Sequence, residues 1–256
     1  MDFTKANTVL DLANIRDSLV RMEDTIVFNL IERAQFCRSE FVYKAGNSDI
    51  PGFEGSYLDW FLQESEKVHA KLRRYAAPDE QAFFPDDLPE AILPPIDYAP
   101  ILAPYSKEVS VNDEIKRIYT DDIVPLVCAG TGDQPENYGS VMVCDIETLQ
   151  ALSRRIHFGK FVAESKFLSE TERFTELIKN KDVAGIEEAI TNSKVEETIL
   201  ARLGEKALAY GTDPTLRWSQ RTQGKVDSEV VKRIYKEWVI PLTKKVEVDY
   251  LLRRLE

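Results

Sequence analysis

Residues 12–30, LANIRDSLVRMEDTIVFNL, carry apolar side chains at Leu12, Ile15, Leu19, Met22, Ile26 and Leu30, at intervals of three and four. On an α-helix such intervals return to one face, so the segment reads as an amphipathic helix of many turns. Outward from it the same period recurs, predicting helices over about 56–75, 107–127, 145–168, 170–179, 194–210 and 228–254. Ser56 with Asp59, and Ser169 with Glu172, have the Ser-x-x-acid spacing that satisfies free amides at a helix start. No run of β-branched and aromatic residues alternates with polar ones over a strand's length. The fold class expected is all-α, a single multi-helix domain over residues 1–256.

Seven of the twelve prolines fall between Pro78 and Pro104, where they block helix and favour extended backbone. Phe83, Phe84, Leu88, Ile92, Leu93 and Ile96 in this connector predict that it lies against the helices. The stretches 129–140 and 211–227 are polar and rich in turn formers, hence surface loops. No internal repeat is read from the sequence.

Lys and Arg total 33 against 44 Asp and Glu, a net charge of −11, which argues against nucleic acid or an anionic membrane as the main partner. Any anion site must therefore be a local cluster of cations. Cys37, Cys128 and Cys144 are too few and too scattered for a disulfide framework, and read as small core residues in a reducing compartment. The first twenty residues hold no apolar block of signal-peptide length, and no uncharged run approaches the length of a bilayer span. The expectation is a cytoplasmic protein, or a plastid one if a transit peptide has been removed.

Two histidines, His69 and His157, cannot build a multi-histidine metal site. The glycines at 130 and 132 lack the third glycine and the preceding strand of a dinucleotide fingerprint, and no Gly-Lys-Ser/Thr phosphate loop occurs. What remains is chemistry by charge placement, with no metal and no cofactor. The stretch LSRRIHFGKFVAESKF, residues 152–167, suits it: Arg155, Gly159, Val162 and Lys166 follow at intervals of four, three and four and share one face. Two cations about three turns apart, with glycine and valine between them, leave room for a small anion. Spacing alone favours instead a basic doublet and a solvated lysine, because charged residues on helices usually face water.

That segment resembles the central active-site helix of the all-helical chorismate mutases of fungi and plants. So do IRDSLVRMEDTIVFNLIERA (15–34), PDEQAFFPDDLPE (78–90), ENYGSV (136–141) and PLTKKVEVDYLLRRLE (241–256), in collinear order along the whole chain. The resemblance implies a homodimer with its active site inside a helical bundle, rearranging chorismate to prephenate. It implies Arg16 and Arg155 on the two carboxylates of chorismate, Lys166 and Glu247 at the ether oxygen, Glu196 at the ring hydroxyl, and Asn192 and Thr243 as polar neighbours. Glu196 also stands three residues after Ser193, the spacing of a capping box. Thr243 and Glu247 share a stripe with Ile240, Tyr250 and Leu251, which points a carboxyl toward the core and raises its pKa.

Regulated members of that family bind tyrosine as inhibitor and tryptophan as activator between subunits. The matching positions are Arg73 and Arg74, with Asn137, Gly139 and Ser140 from the other protomer. Alone, the two arginines also read as a basic helix end. Glu136, Val143 and Asp227 depart from the fungal pattern near that site. The alternative from another class is a non-catalytic helical dimer that binds aromatic amino acids as a regulatory protein.

Overall fold

A computed structural model describes residues 1–212 and 225–256; the expected loop at 211–227 lies mostly outside them. After one turn, α1 (Ala6–Val9), helix α2 runs Leu12–Ala34. Asp11 opens it by accepting from the amides of Ala13 (2.9 Å) and Asn14 (3.1 Å), donors that no helical carbonyl reaches. Ile15, Met22, Ile26 and Leu30 are buried, whereas Leu12 at 41% exposure turns to the rim of a cavity.

Helix α3 (Tyr57–Lys71) starts on a reciprocal cap: the Ser56 amide donates to the Asp59 carboxylate at 3.1 Å, and the Asp59 amide to Ser56 Oγ at 3.1 Å. It stops short of residue 75 because Arg73 takes a left-handed φ of 67°. Helices α4 (Asn112–Ile118) and α5 (Val124–Val127) are joined through a π turn at Tyr119–Ile123. Helix α6 (Tyr138–His157) begins at Tyr138 rather than 145, so Gly139 and Ser140 stand in its first turn instead of a loop. A first-turn amide has no helical partner, so glycine there costs little. Phe158 keeps helical angles and links α6 to α7 (Gly159–Ser169).

Then come α8 (Thr171–Lys179), α9 (Val183–Ile190), α10 (Ser193–Gly211), α11 (Ser228–Ile234), a second π turn at Tyr235–Val239, and α12 (Ile240–Leu252). Two expected caps differ. Ser169 does not cap α8; its hydroxyl donates to the Lys166 carbonyl at 2.9 Å. Helix α10 is capped by Asn192, which accepts from the Val195 amide at 3.3 Å, so Ser193 and Glu196 form no capping box. Helix α9 was not expected at all. Asp182 starts it by accepting from the Gly185 amide at 2.9 Å.

Against the expectation of none, the two π turns mark an internal repeat: KRIYTDDIVPLV (116–127) and KRIYKEWVIPLT (232–243). In each, proline follows two residues after a fully buried tyrosine's turn closes, at Pro125 and Pro241. Proline has no amide to give and crowds the carbonyl four residues back, so the ladder widens ahead of it. A second echo is LIERAQF (30–36) against LSRRIHF (152–158), which matches Arg33 with Arg155. Arg33 is fully buried: its Nε meets Asp145 Oδ1 at 2.7 Å, while Tyr119 and Tyr43 donate to the same carboxylate at 2.7 and 2.8 Å.

Helix α2 packs along α6, α12 along α7, and α10 against α2 and α11. Ile26, Leu30, Leu58, Leu62, Leu149 and Ile234 fill the core between them. The connector divides in two. Phe83 and Phe84 pack on the core, and their amides donate to the buried Glu66 carboxylate at 2.9 Å each, whereas Ile92, Leu93 and Ile96 face outward. All three cysteines are free and partly buried rather than core residues. His157 is structural: its Nε2 accepts from the Val111 amide at 3.0 Å, and burial, with Lys160 nearby, pushes its pKa down to about 3. No helix among the described residues is long and apolar enough to cross a membrane.

Candidate active site

Gly159 opens helix α7 directly against α12. A Cβ there would lie 3.0 Å from the Thr243 carbonyl oxygen and 3.2 Å from Glu247 Cγ. The space that glycine leaves is therefore taken by α12 and not by an anion, which corrects the expectation from spacing. The consequence is close approach of two helices, carrying Thr243 and Glu247 up to Arg155 and Lys166.

Beside this contact lies a cavity of about 290 Å³ walled by α2, α6, α7, α10, α12 and the link from α9 to α10. All seven residues singled out for substrate line it: Arg16, Arg155, Lys166, Asn192, Glu196, Thr243 and Glu247. Leu12, Ile15, Leu19, Val162, Ile199 and Ile240 supply its apolar wall. Arg16 is exposed, while Arg155 is 3% and Glu247 6% exposed. The cavity thus has a wet guanidinium at one side and a dry one deep inside.

Arg155 donates from Nη1 to Thr243 Oγ1 at 3.3 Å and lies 6.0 Å from the centre of the Tyr235 ring. Its Nε, the Tyr235 hydroxyl and Glu247 Oε2 are buried without a hydrogen-bond partner among the described residues. Buried polar groups are rarely left so, and three together mark a place made for polar company. Lys166 Nζ stands 4.0 Å from Glu247 Oε2 and donates to the Ile190 carbonyl.

Burial raises the Glu247 pKa to about 7, against the opposing pull of Lys166, Arg155 and Lys244. Burial also lowers the Lys166 pKa, with Glu247 acting the other way. Desolvation disfavours both charges, so the carboxyl holds its proton into the neutral range. A protonated carboxyl and an ammonium together present donors to an oxygen placed between them.

Two contributors to this wall were not expected. Lys244, one position round the helix from Thr243, lines the cavity and pairs with Glu196 at 2.6 Å. The α9 end supplies Ile190, whose carbonyl holds Lys166. The lysine doublet at 244–245 gives no sign of which member turns inward, and α9 is too short for a periodic stripe to mark it in the sequence.

The five residues singled out for effectors do not meet within the chain. Arg73 donates to the Pro94 carbonyl. Arg74 bonds Glu80 at 3.1 Å and Gln150 at 2.7 Å, and lines a separate cavity of about 440 Å³ with Met22, His69 and Arg154. Asn137, Gly139 and Ser140 sit at the opposite end of α6, outside that cavity.

The family model for chorismate mutase type II matches residues 137–248. A chorismate mutase of Pichia angusta is 60% identical over 256 residues, covering 100% of this chain and 91% of the relative. Among solved structures, the Candida albicans Aro7p chorismate mutase in complex with L-Trp superposes with a TM-score of 0.97 at 60% identity, covering 100% of this chain and 96% of that one. AtCM1 with tyrosine bound in its allosteric site gives 0.87 at 40%, covering 100% and 99%. End-to-end identity at this level, on the same helical framework, makes this chain a member of the chorismate mutase family.

Proposed function

We propose that the cavity converts chorismate to prephenate. Arg16 and Arg155 hold the two carboxylates of a compact conformer, guanidinium forks being suited to carboxylate pairs. As the carbon–oxygen bond breaks and a carbon–carbon bond forms, negative charge grows on the ether oxygen, which Lys166 and the protonated Glu247 face as donors. Glu196 takes the ring hydroxyl, with Asn192 and Thr243 beside it. At about 1.5–3 kcal/mol per charged hydrogen bond, a few such contacts approach the roughly 8 kcal/mol of a millionfold acceleration.

The observation that carries this reading is the pair of partnerless buried groups, Arg155 Nε and Glu247 Oε2, in one cavity wall with Lys166. Loss of chorismate absorbance on mixing with the pure protein is the test, and no loss would overturn it. Lys166→Ala should cut kcat far more than it raises KM.

The reading extends to assembly and control. The protein works as a homodimer in which Arg73 and Arg74 of one protomer and Asn137, Gly139 and Ser140 of the other bind tyrosine as inhibitor and tryptophan as activator. In support, Gln150, which Arg74 meets, lies on α6 about 15–20 Å from those three at 1.5 Å per residue, too far for one small ligand to bridge. Relatives hold L-Trp, and tyrosine in an allosteric site. Light scattering and activity with each amino acid test it; a monomer with no response overturns it.

A further inference from the structure

Glu196 brings a carboxylate to a cavity meant for a dianion, a contradiction that its neighbour resolves. It stands in the first turn of α10, Lys244 just past the first turn of α12, and their side chains meet at 2.6 Å with 29% exposure each. Both line the cavity. Among the described residues Lys244 is the only cation within 4.0 Å of Glu196. Most ion pairs of this exposure add little to stability. This one differs in that both ends face the cavity, so its charge balance is felt by whatever enters.

We propose that Lys244 is a positioning residue for substrate capture: by pairing with Glu196 it masks the carboxylate from an incoming dianion and holds it against the wall between α10 and α12. The inference rests on the reading of the cavity as the chorismate site. It requires no contact between Lys244 and substrate. Charges at a rim act chiefly on encounter and affinity, so the effect falls on KM. The groups facing Glu247 are Arg155 on α6, Lys166 on α7, Glu196 on α10 and Lys244 on its own helix, with Arg16 of α2 across the cavity. Removing Lys244 deletes one cation and bares one anion, and both changes push the Glu247 pKa upward.

The experiment compares Lys244→Ala, Lys244→Arg, Glu196→Gln and the double variant Lys244→Ala/Glu196→Gln in steady-state assays across pH, with thermal melting as a check on folding. Lys244→Ala should raise KM about tenfold, the range of one partly buried charge interaction, with kcat near wild type and the alkaline limb moved to higher pH. Lys244→Arg should restore both. In the Glu196→Gln background the alanine substitution should change KM by less than about twofold, because there is no longer a charge to mask. An equal rise in KM in both backgrounds, or an alkaline limb that does not move, overturns the proposal. Wild type without turnover in the same assay overturns the chorismate reading instead, so the two failures are distinct.

Discussion

Glu247 sits at 6% exposure with one carboxyl oxygen unpartnered, and its ordinary pKa near 4.5 is raised by burial to about 7. The donor is the protonated form, which predominates below that value and is lost above it. Activity should therefore decline as pH rises through about 7, and Glu247→Gln, whose amide donates at every pH, should lose this decline. A pH–rate profile of both proteins checks it, and identical declines refute the assignment. Gly159→Ala makes a second prediction at this scale. A Cβ at 3.0 Å from the Thr243 carbonyl must push α7 from α12. Overpacking of this kind costs about 1–3 kcal/mol, and the displaced Thr243 and Glu247 should lower kcat about tenfold or more. Melting and single-turnover rates measure the two effects. The residues of this wall were nameable from sequence because they fall in long blocks that resemble a family, not because their spacing excluded solvent. Arg16 alone reads as a surface arginine, and it is exposed here. Lys244 escaped notice because its role depends on α10, a partner across the fold that no local pattern reveals.

At the scale of elements, the long helices were legible because a buried stripe must recur every three to four residues, and α2 follows it from Ile15 to Ala34. Short helix α9, of 8 residues, was not: it holds barely two turns, too few for periodicity to emerge. The π turns were equally hidden, since a widened turn is set by proline's missing amide and leaves the apolar pattern almost intact. They matter because Tyr235–Val239 sets the rotation at which α12 presents Thr243 and Glu247. Pro241→Ala restores an amide and lets the ladder close, which should turn those side chains and lower kcat while the melting temperature stays within a few degrees. Pro125→Ala, just after the matching turn at 119–123 and outside the cavity wall, should leave kcat near wild type. Equal losses in the two variants would refute the link between that turn and the site.

For the whole molecule, the repeat went unread because its two copies share only short identities, and their common geometry appears only when both prolines are seen behind buried tyrosines. It sets Arg33 and Arg155 in corresponding places with opposite surroundings. Arg33 is neutralised by Asp145 and ringed by tyrosine hydroxyls and the Cys37 and Arg38 carbonyls, tying α2 to α6. Asp145→Ala would strand that guanidinium, a loss of about 3–5 kcal/mol that should lower the melting temperature by about 10 °C. Calorimetry tests it, and a shift below a degree or two would show the pair to be dispensable.

The asymmetry between these arginines has a thermodynamic corollary. One half of the chain carries its counterion permanently, built into α6; the other offers its guanidinium to Thr243 and to whatever carboxylate the medium supplies. A bound dicarboxylate would do for Arg155 what Asp145 does for Arg33. Ligands of that charge should then protect the native state against heat in proportion to their occupancy.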